Sequence, residues 1–123
     1  MGEPVRSFRD LRIWQRAMDL VQQAYGLAQL LPRHEQYALA DQMRRAAVSV
    51  PTNIAEGQAR RHKKEFVRFL LIARGSLAEL QTLLLIAERL KYLTNDQTAR
   101  IDEELLSVLM PLSALINRLR RAV

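Results

Sequence analysis

Apolar residues recur along the chain at helical spacing in four blocks, with polar or helix-stopping residues between them. In the first block Leu11, Trp14, Met18, Val21, Tyr25 and Ala28 fall three or four apart. A second seam of Ile13, Ala17, Leu20, Ala24, Leu27 and Leu31 lies beside it. Two adjacent seams predict a wide buried face that touches more than one neighbour. Ser7 and Asp10 are good N-caps at near-capping-box spacing, and Pro32 stops the pattern, which bounds this helix at about 8–31. The second block, about 34–60, places Leu39, Met43, Ala46 and Val50 on one line and Ala40, Ala47 and Ile54 on the next. Pro51 falls inside it. The ring removes one backbone donor and frees the Ala47 carbonyl, and because the pattern resumes in phase at Ile54 a kink is expected rather than a break. Gly57 weakens the end of this helix.

The third block, about 62–93, carries Phe66, Leu70, Ala73, Leu77, Leu80, Leu84 and Ala87 on one stripe. Phe69, Ile72, Leu83, Ile86, Leu90 and Leu93 form another. Together they cover an arc of roughly 200°, about twice what a surface helix needs, and the surplus suggests an oligomer interface. The fourth block, about 95–121, opens with a capping box from Thr94 to Gln97 and continues through Ile101, Leu105, Val108, Leu112, Leu115 and Leu119. Pro111 should kink it and free the carbonyl of Ser107. Short connections make sequential helices antiparallel neighbours. The expected fold is therefore all-α: a single-domain, antiparallel up-down-up-down four-helix bundle over residues 1–123, with 1–7 as a flexible tail.

Composition narrows the chemistry. The 123 residues include no cysteine, which excludes disulfides, thiolate metal sites and thiol nucleophiles. No signal-type apolar core follows the basic N-terminus, so a cytoplasmic protein without a membrane partner is expected. The 19 Lys+Arg against 13 Asp+Glu leave a net charge of +6, which suits a polyanionic partner.

The bundle topology sharpens that charge. The start of the first helix, the turn between the second and third, and the end of the fourth should share one pole. Arg6, Arg9, Arg12, Arg16, Arg60, Arg61, Lys63, Lys64, Arg68, Arg118, Arg120 and Arg121 face only Glu3, Asp10, Glu56 and Glu65 there, a balance of +8, whereas the opposite pole carries −3. Bases at helix C-terminal ends complement the macrodipole and keep a small domain soluble without any partner. At helix starts the dipole favours acids, and Arg9, Arg12, Lys63 and Lys64 run against it. Of the aromatics, Trp14, Tyr25, Phe66 and Phe69 fall on core seams, and only Phe8 lies within the basic clusters. Any nucleic-acid contact should then be phosphate-driven and largely sequence-tolerant.

Catalytic arrangements are mostly missing from the sequence. His34 and His62 fall near opposite poles, no Glu-x-x-His pair occurs, and neither phosphate-loop nor nucleophile-elbow patterns are present. Asp102, Glu103 and Glu104 read as charge at a helix start rather than a metal site. No enzymatic activity and no cofactor are expected. One polar group stands out on the second helix, where Arg45, Ser49, Thr52 and Glu56 line one side with Gln42, Asn53 and Arg60 adjacent. Gly75, Ser76 and Glu79 on the third helix could complete a network between helices or subunits, including an Arg–Glu pair. The alternative is an exposed face with pairing four residues apart.

The stretches QMRRAAVSVPTNIAEG (Gln42 to Gly57) and ARGSLAEL (Ala73 to Leu80), within a likeness that covers nearly all of the chain, resemble the four-helix-bundle family named after proteins encoded in 23S rRNA intervening sequences. That family is in turn similar to the accessory proteins of diversity-generating retroelements, basic bundles that partner a reverse transcriptase. The resemblance implies a bacterial cytosolic homo-oligomer, a pentameric ring or barrel, with no known enzymatic activity and with nucleic acid as the proposed partner. Pro51 departs from the family pattern, where a non-proline residue is expected. Two functions follow as expectations. One is a nucleic-acid-binding bundle, RNA ahead of DNA, that uses Arg9, Arg12, Arg16, Arg60, Arg61, Lys63, Lys64, Arg68, Arg118, Arg120 and Arg121. The other is a scaffold or accessory ring that docks an acidic protein such as a reverse transcriptase.

Overall fold

The computed structural model describes residues 7–121. Residues 1–6 of the expected tail lie outside them. Among the described residues the chain forms four α-helices, two 3-10 turns and no strand: α1 (Arg12–Ala28), α2 (Leu39–Ala59), α3 (Lys63–Arg89) and α4 (Asn95–Arg121). Each helix packs against its neighbours in sequence and α1 closes on α4, while among the described residues no diagonal pair brings its Cα atoms within 8 Å. The core is the shared interior of that ring, with Leu20, Met43, Ile54, Leu70, Leu77, Leu84, Leu105 and Ile116 fully buried.

Helix ends follow local chemistry more closely than the apolar pattern does. The Ser7–Asp10 capping box forms, with the Ser7 amide donating to Asp10 Oδ2 at 3.3 Å and the Arg9 amide to Ser7 Oγ at 3.2 Å. It caps only the 3-10 turn Phe8–Asp10, because Leu11 is extended (φ −77°, ψ 124°) and α1 restarts at Arg12. The far end of α1 also stops early, at Ala28. Gln36 Nε2 donates to the carbonyls of Ala28 (2.9 Å) and Leu31 (3.0 Å), and Arg44 clamps Gln36 through its side-chain and backbone oxygens at 3.2 and 2.6 Å. These bonds satisfy carbonyls that a helix C-terminus leaves open. They make 29–38 a structured connection, so α2 begins at Leu39 rather than near 34. α3 ends in a Schellman motif: the Tyr92 amide reaches the Ala87 carbonyl and the Lys91 amide the Glu88 carbonyl, both at 2.9 Å, with Lys91 left-handed at φ 65°. The Thr94–Gln97 box caps α4 as expected, at 2.9 and 3.2 Å.

The expected seams are placed with some corrections. On α1 the second seam is the core. The first is a flank that enters the core only at Ala28 and on which Met18 and Tyr25 are exposed, because a single helix in a four-membered ring buries one side only. On α4 Ile116 is fully buried, and Leu115 and Leu119 lie half-buried beside it. α2 runs unbroken through a buried Pro51. α3 is long and apolar enough to cross a membrane, with a mean hydropathy of 1.6 over 18 residues, yet it packs between α2 and α4. Ile72, Ile86 and Leu90 of its second stripe are exposed, and so is Leu85, which lies in neither expected stripe.

Candidate nucleic-acid interface

The turn between α2 and α3 is built by one close approach. A Cβ placed on Gly57 would lie 2.7 Å from Phe69 Cβ and 3.1 Å from Phe66 Cδ1. Only glycine lets the last turn of α2 lie that tightly on the first turns of α3. The chain then reverses in three residues: Arg60 ends α2, Arg61 is left-handed at φ 62°, and His62 is extended before Lys63 opens α3. Every side chain from Arg60 to Lys64 is exposed.

Two clefts show what surrounds this turn. One, of about 290 Å³, lies among Gln58, Arg61, His62, Lys63, Phe66 and Leu119. The other, of about 510 Å³, has Leu11, Arg12, Phe66, Pro111, Leu115 and Arg118 in its wall. Gln58 and Phe66 border both. The start of α1, the end of α2, the start of α3 and the end of α4 therefore converge, which is the juxtaposition that the charge pattern requires. Phe66, expected on a core seam, does pack against the core but stays half-buried and borders both clefts, because it occupies the first turn of α3, where the ring of helices ends.

The nominated cations divide into two groups. Arg16 is half-buried, and its Nη1 donates to the Ser107 carbonyl at 3.3 Å. That is the carbonyl Pro111 deprives of an amide four residues on, so Arg16 is a structural residue of the α1–α4 contact rather than a free phosphate ligand. Arg60 pairs with Glu56 at 3.1 Å and lies 5.3 Å from the Phe69 ring centre. Arg68 grips Glu65 with both ends of its fork, at 2.9 and 3.2 Å, and lies 4.4 Å over Phe69. The hydrogen bond from Arg68 holds the Glu65 carboxyl below its ordinary pKa, and the same bond raises that of Arg68. Arg9 lies 5.8 Å over Phe8. Arg12, Arg61, Lys63, Lys64, Arg118, Arg120 and Arg121 are exposed and form no ion pair with an acid among the described residues.

The polar group on α2 is resolved half each way. Ser49 and Ser76 join the two helices through their hydroxyls at 2.7 Å, and Asn53 Nδ2 donates to Ser49 Oγ at 3.0 Å and to its carbonyl at 2.7 Å. Ser76 Oγ donates to the Ile72 carbonyl at 3.2 Å, so Ser49 supplies the proton between the two hydroxyls. The expected Arg–Glu pair does not form across this contact. Arg45 turns to Asp41 at 2.9 Å and Glu56 to Arg60, each four residues away, because a partner on the same helix face costs less ordering than one on another element. Thr52 bonds back to the Val48 carbonyl, Glu79 is exposed, and Gly75 faces open space.

At the far pole Tyr92 Oη donates to Glu35 Oε2 at 3.0 Å and lies 3.5 Å from His34 Nε2, tying the α1–α2 connection to the end of α3. The bond to Glu35 raises the Tyr92 pKa. His62 stands at the other end of α3, about 40 Å away at 1.5 Å per residue. No group of three or more metal-binding side chains occurs among the described residues.

Comparison with known proteins agrees with this architecture. The family model described as 23S rRNA-intervening sequence protein matches residues 9–114. No curated protein matches the chain. A solved structure of a protein of unknown function from the S23 ribosomal protein family of Bacteroides thetaiotaomicron superposes with a TM-score of 0.79 at 20% identity, over 85% of this chain and 97% of that one. At that identity the likeness is one of fold.

Proposed function

The chain belongs to the 23S rRNA-intervening sequence protein family, and from that premise we propose that it is a non-enzymatic, cytoplasmic nucleic-acid-binding bundle, with RNA preferred to DNA. The observation that carries this reading is the set of seven exposed cations with no acidic partner among the described residues (Arg12, Arg61, Lys63, Lys64, Arg118, Arg120 and Arg121), contributed by three parts of the chain that meet at one pole. Lys63 and Lys64 open α3, where the helix dipole disfavours positive charge, and a bound phosphate would offset that cost. Contacts to phosphate position a polyanion without reading its sequence.

Up-down-up-down connectivity suits the short turns and the ring of neighbouring helix contacts. Assembly into a homo-oligomer, the pentameric ring implied by the family resemblance, is supported by the exposed Ile72, Leu85, Ile86 and Leu90 of α3. A ring would repeat the basic pole and let weak single sites act together. The test is neutralisation of Arg61, Lys63 and Lys64 to Gln, with Arg89, Lys91 and Arg100 of the far pole as the matched control. The first set should weaken binding of a structured RNA and flatten its salt dependence by about 0.7–0.9 in log–log slope per lost contact. The control set should leave both unchanged. A stoichiometric complex with an acidic protein that survives nuclease, together with no affinity for RNA, would overturn the reading in favour of a protein-docking scaffold.

A further inference from the structure

Resting on the nucleic-acid reading above, we propose that the cleft between the start of α1 and the end of α4 receives an unpaired nucleobase, so that the preferred RNA carries bulged or looped-out bases beside a stem. The cleft, about 510 Å³, falls within the size range of small-ligand sites. Its walls are apolar where Phe66, Pro111 and Leu115 meet, and Arg12 and Arg118 stand exposed on its rim. Gln58 is the one uncharged polar side chain in the wall, and it makes no hydrogen bond with the described residues.

That combination matches a nucleobase. Its faces are apolar, its edge carries donors and acceptors that an amide can meet together, and the phosphates on either side are anionic. Bases held in a duplex keep those edges paired and cannot enter, whereas flipped or looped bases can. Gln58 and Phe66 also border the second cleft, with Arg61 and Lys63 beyond them. A strand whose base is seated by Gln58 therefore continues onto Arg61 and Lys63 of the α2–α3 turn. No acid lines either cleft. A repeating polyanion uses both clefts at once, while an apolar side chain of an acidic protein would use the first alone.

The test compares two hairpin RNAs of equal stem length, one perfectly paired and one with a three-nucleotide bulge, by fluorescence anisotropy against the full chain. The variants are Ala114→Phe, which fills the cleft from an exposed position of α4, and Gln58→Leu, which removes the amide. Stacking of one base predicts about tenfold tighter binding of the bulged RNA. Ala114→Phe should abolish that preference, leaving affinity for the paired hairpin and the thermal melt unchanged, and Gln58→Leu should reduce the preference. Equal binding of both RNAs by the unmodified protein would overturn the proposal while leaving the phosphate reading intact. So would an unchanged preference in Ala114→Phe, or specific competition by an acidic leucine-containing peptide that Ala114→Phe removes. Failure to bind either RNA at low salt would overturn the phosphate reading itself.

Discussion

Replacing Arg16 by Ala should destabilise the fold through a carbonyl 91 residues away in sequence. Pro111 interrupts the hydrogen-bond ladder of α4 and leaves the Ser107 carbonyl without its in-helix amide, and Arg16 Nη1 supplies the missing donor at 3.3 Å. A hydrogen bond from a charged group contributes about 1.5–3 kcal/mol. The bond is long and Arg16 is only half-buried, so the lower end applies: a loss of about 1.5 kcal/mol. The mechanism has a signature that a merely packed arginine would lack. Pro111→Ala returns an amide to position 111, the carbonyl closes its own helical bond, and Arg16→Ala in that background should cost only about 0.5 kcal/mol. The two sites are then coupled by about 1 kcal/mol in a double-mutant cycle. Urea unfolding followed by circular dichroism measures all four proteins, at one protein concentration because self-association would shift every midpoint. Additive effects, agreeing within about 0.3 kcal/mol, would refute the assignment of Arg16 to the proline-freed carbonyl.

Gly57→Ala should lose about 1–2 kcal/mol despite the better helix propensity of alanine, because its Cβ would meet Phe69 at 2.7 Å, whereas Gly75→Ala, which faces open space, should gain about 0.5–1 kcal/mol. Thermal melts of the two variants check the opposite signs. Arg61 and Lys91 both hold left-handed backbone (φ 62° and 65°) at the ends of their helices, so Arg61→Gly and Lys91→Gly should each stabilise by about 1 kcal/mol; only Arg61→Gly should weaken RNA binding, as read by paired melts and anisotropy. Tyr92 has its pKa raised by the bond to Glu35. That latch therefore contributes fully below the ordinary tyrosine pKa of about 10 and is lost as pH rises through the raised value. The stability difference between the parent and Tyr92→Phe should disappear in that alkaline range, and a difference that persists there would rule out the hydroxyl as its source.

Periodicity located all four helices because each buries one continuous face, and 3.6-residue spacing reports such a face directly. It misplaced their ends where other forces decide. Leu11 carries the apolar pattern yet is extended, and the Gln36–Arg44 clamp that stops α1 uses two polar residues with no periodic signature. The basic pole was legible because it needs only charge and topology. Which cations remain available was legible only in part, since that depends on partners. Arg16 faces a carbonyl from a distant helix, while Arg68 and Arg60 find acids three and four residues away. For Arg60 and Arg68, spacing to Glu56 and Glu65 was a usable signal. Pro111 had already marked the Ser107 carbonyl, and only the approach of α1 to α4 reveals Arg16 beside it. Gln58 carried no signal at all. Its significance comes from standing where two clefts meet, a property of the packed bundle.

The most direct test of the central claim is the salt dependence of RNA binding by the unmodified chain, measured by anisotropy with one structured RNA. Should most of the seven exposed cations touch phosphate, the log–log slope is several units, at about 0.7–0.9 per contact. A slope near zero, or no binding at low salt, would contradict the basic pole as a nucleic-acid surface.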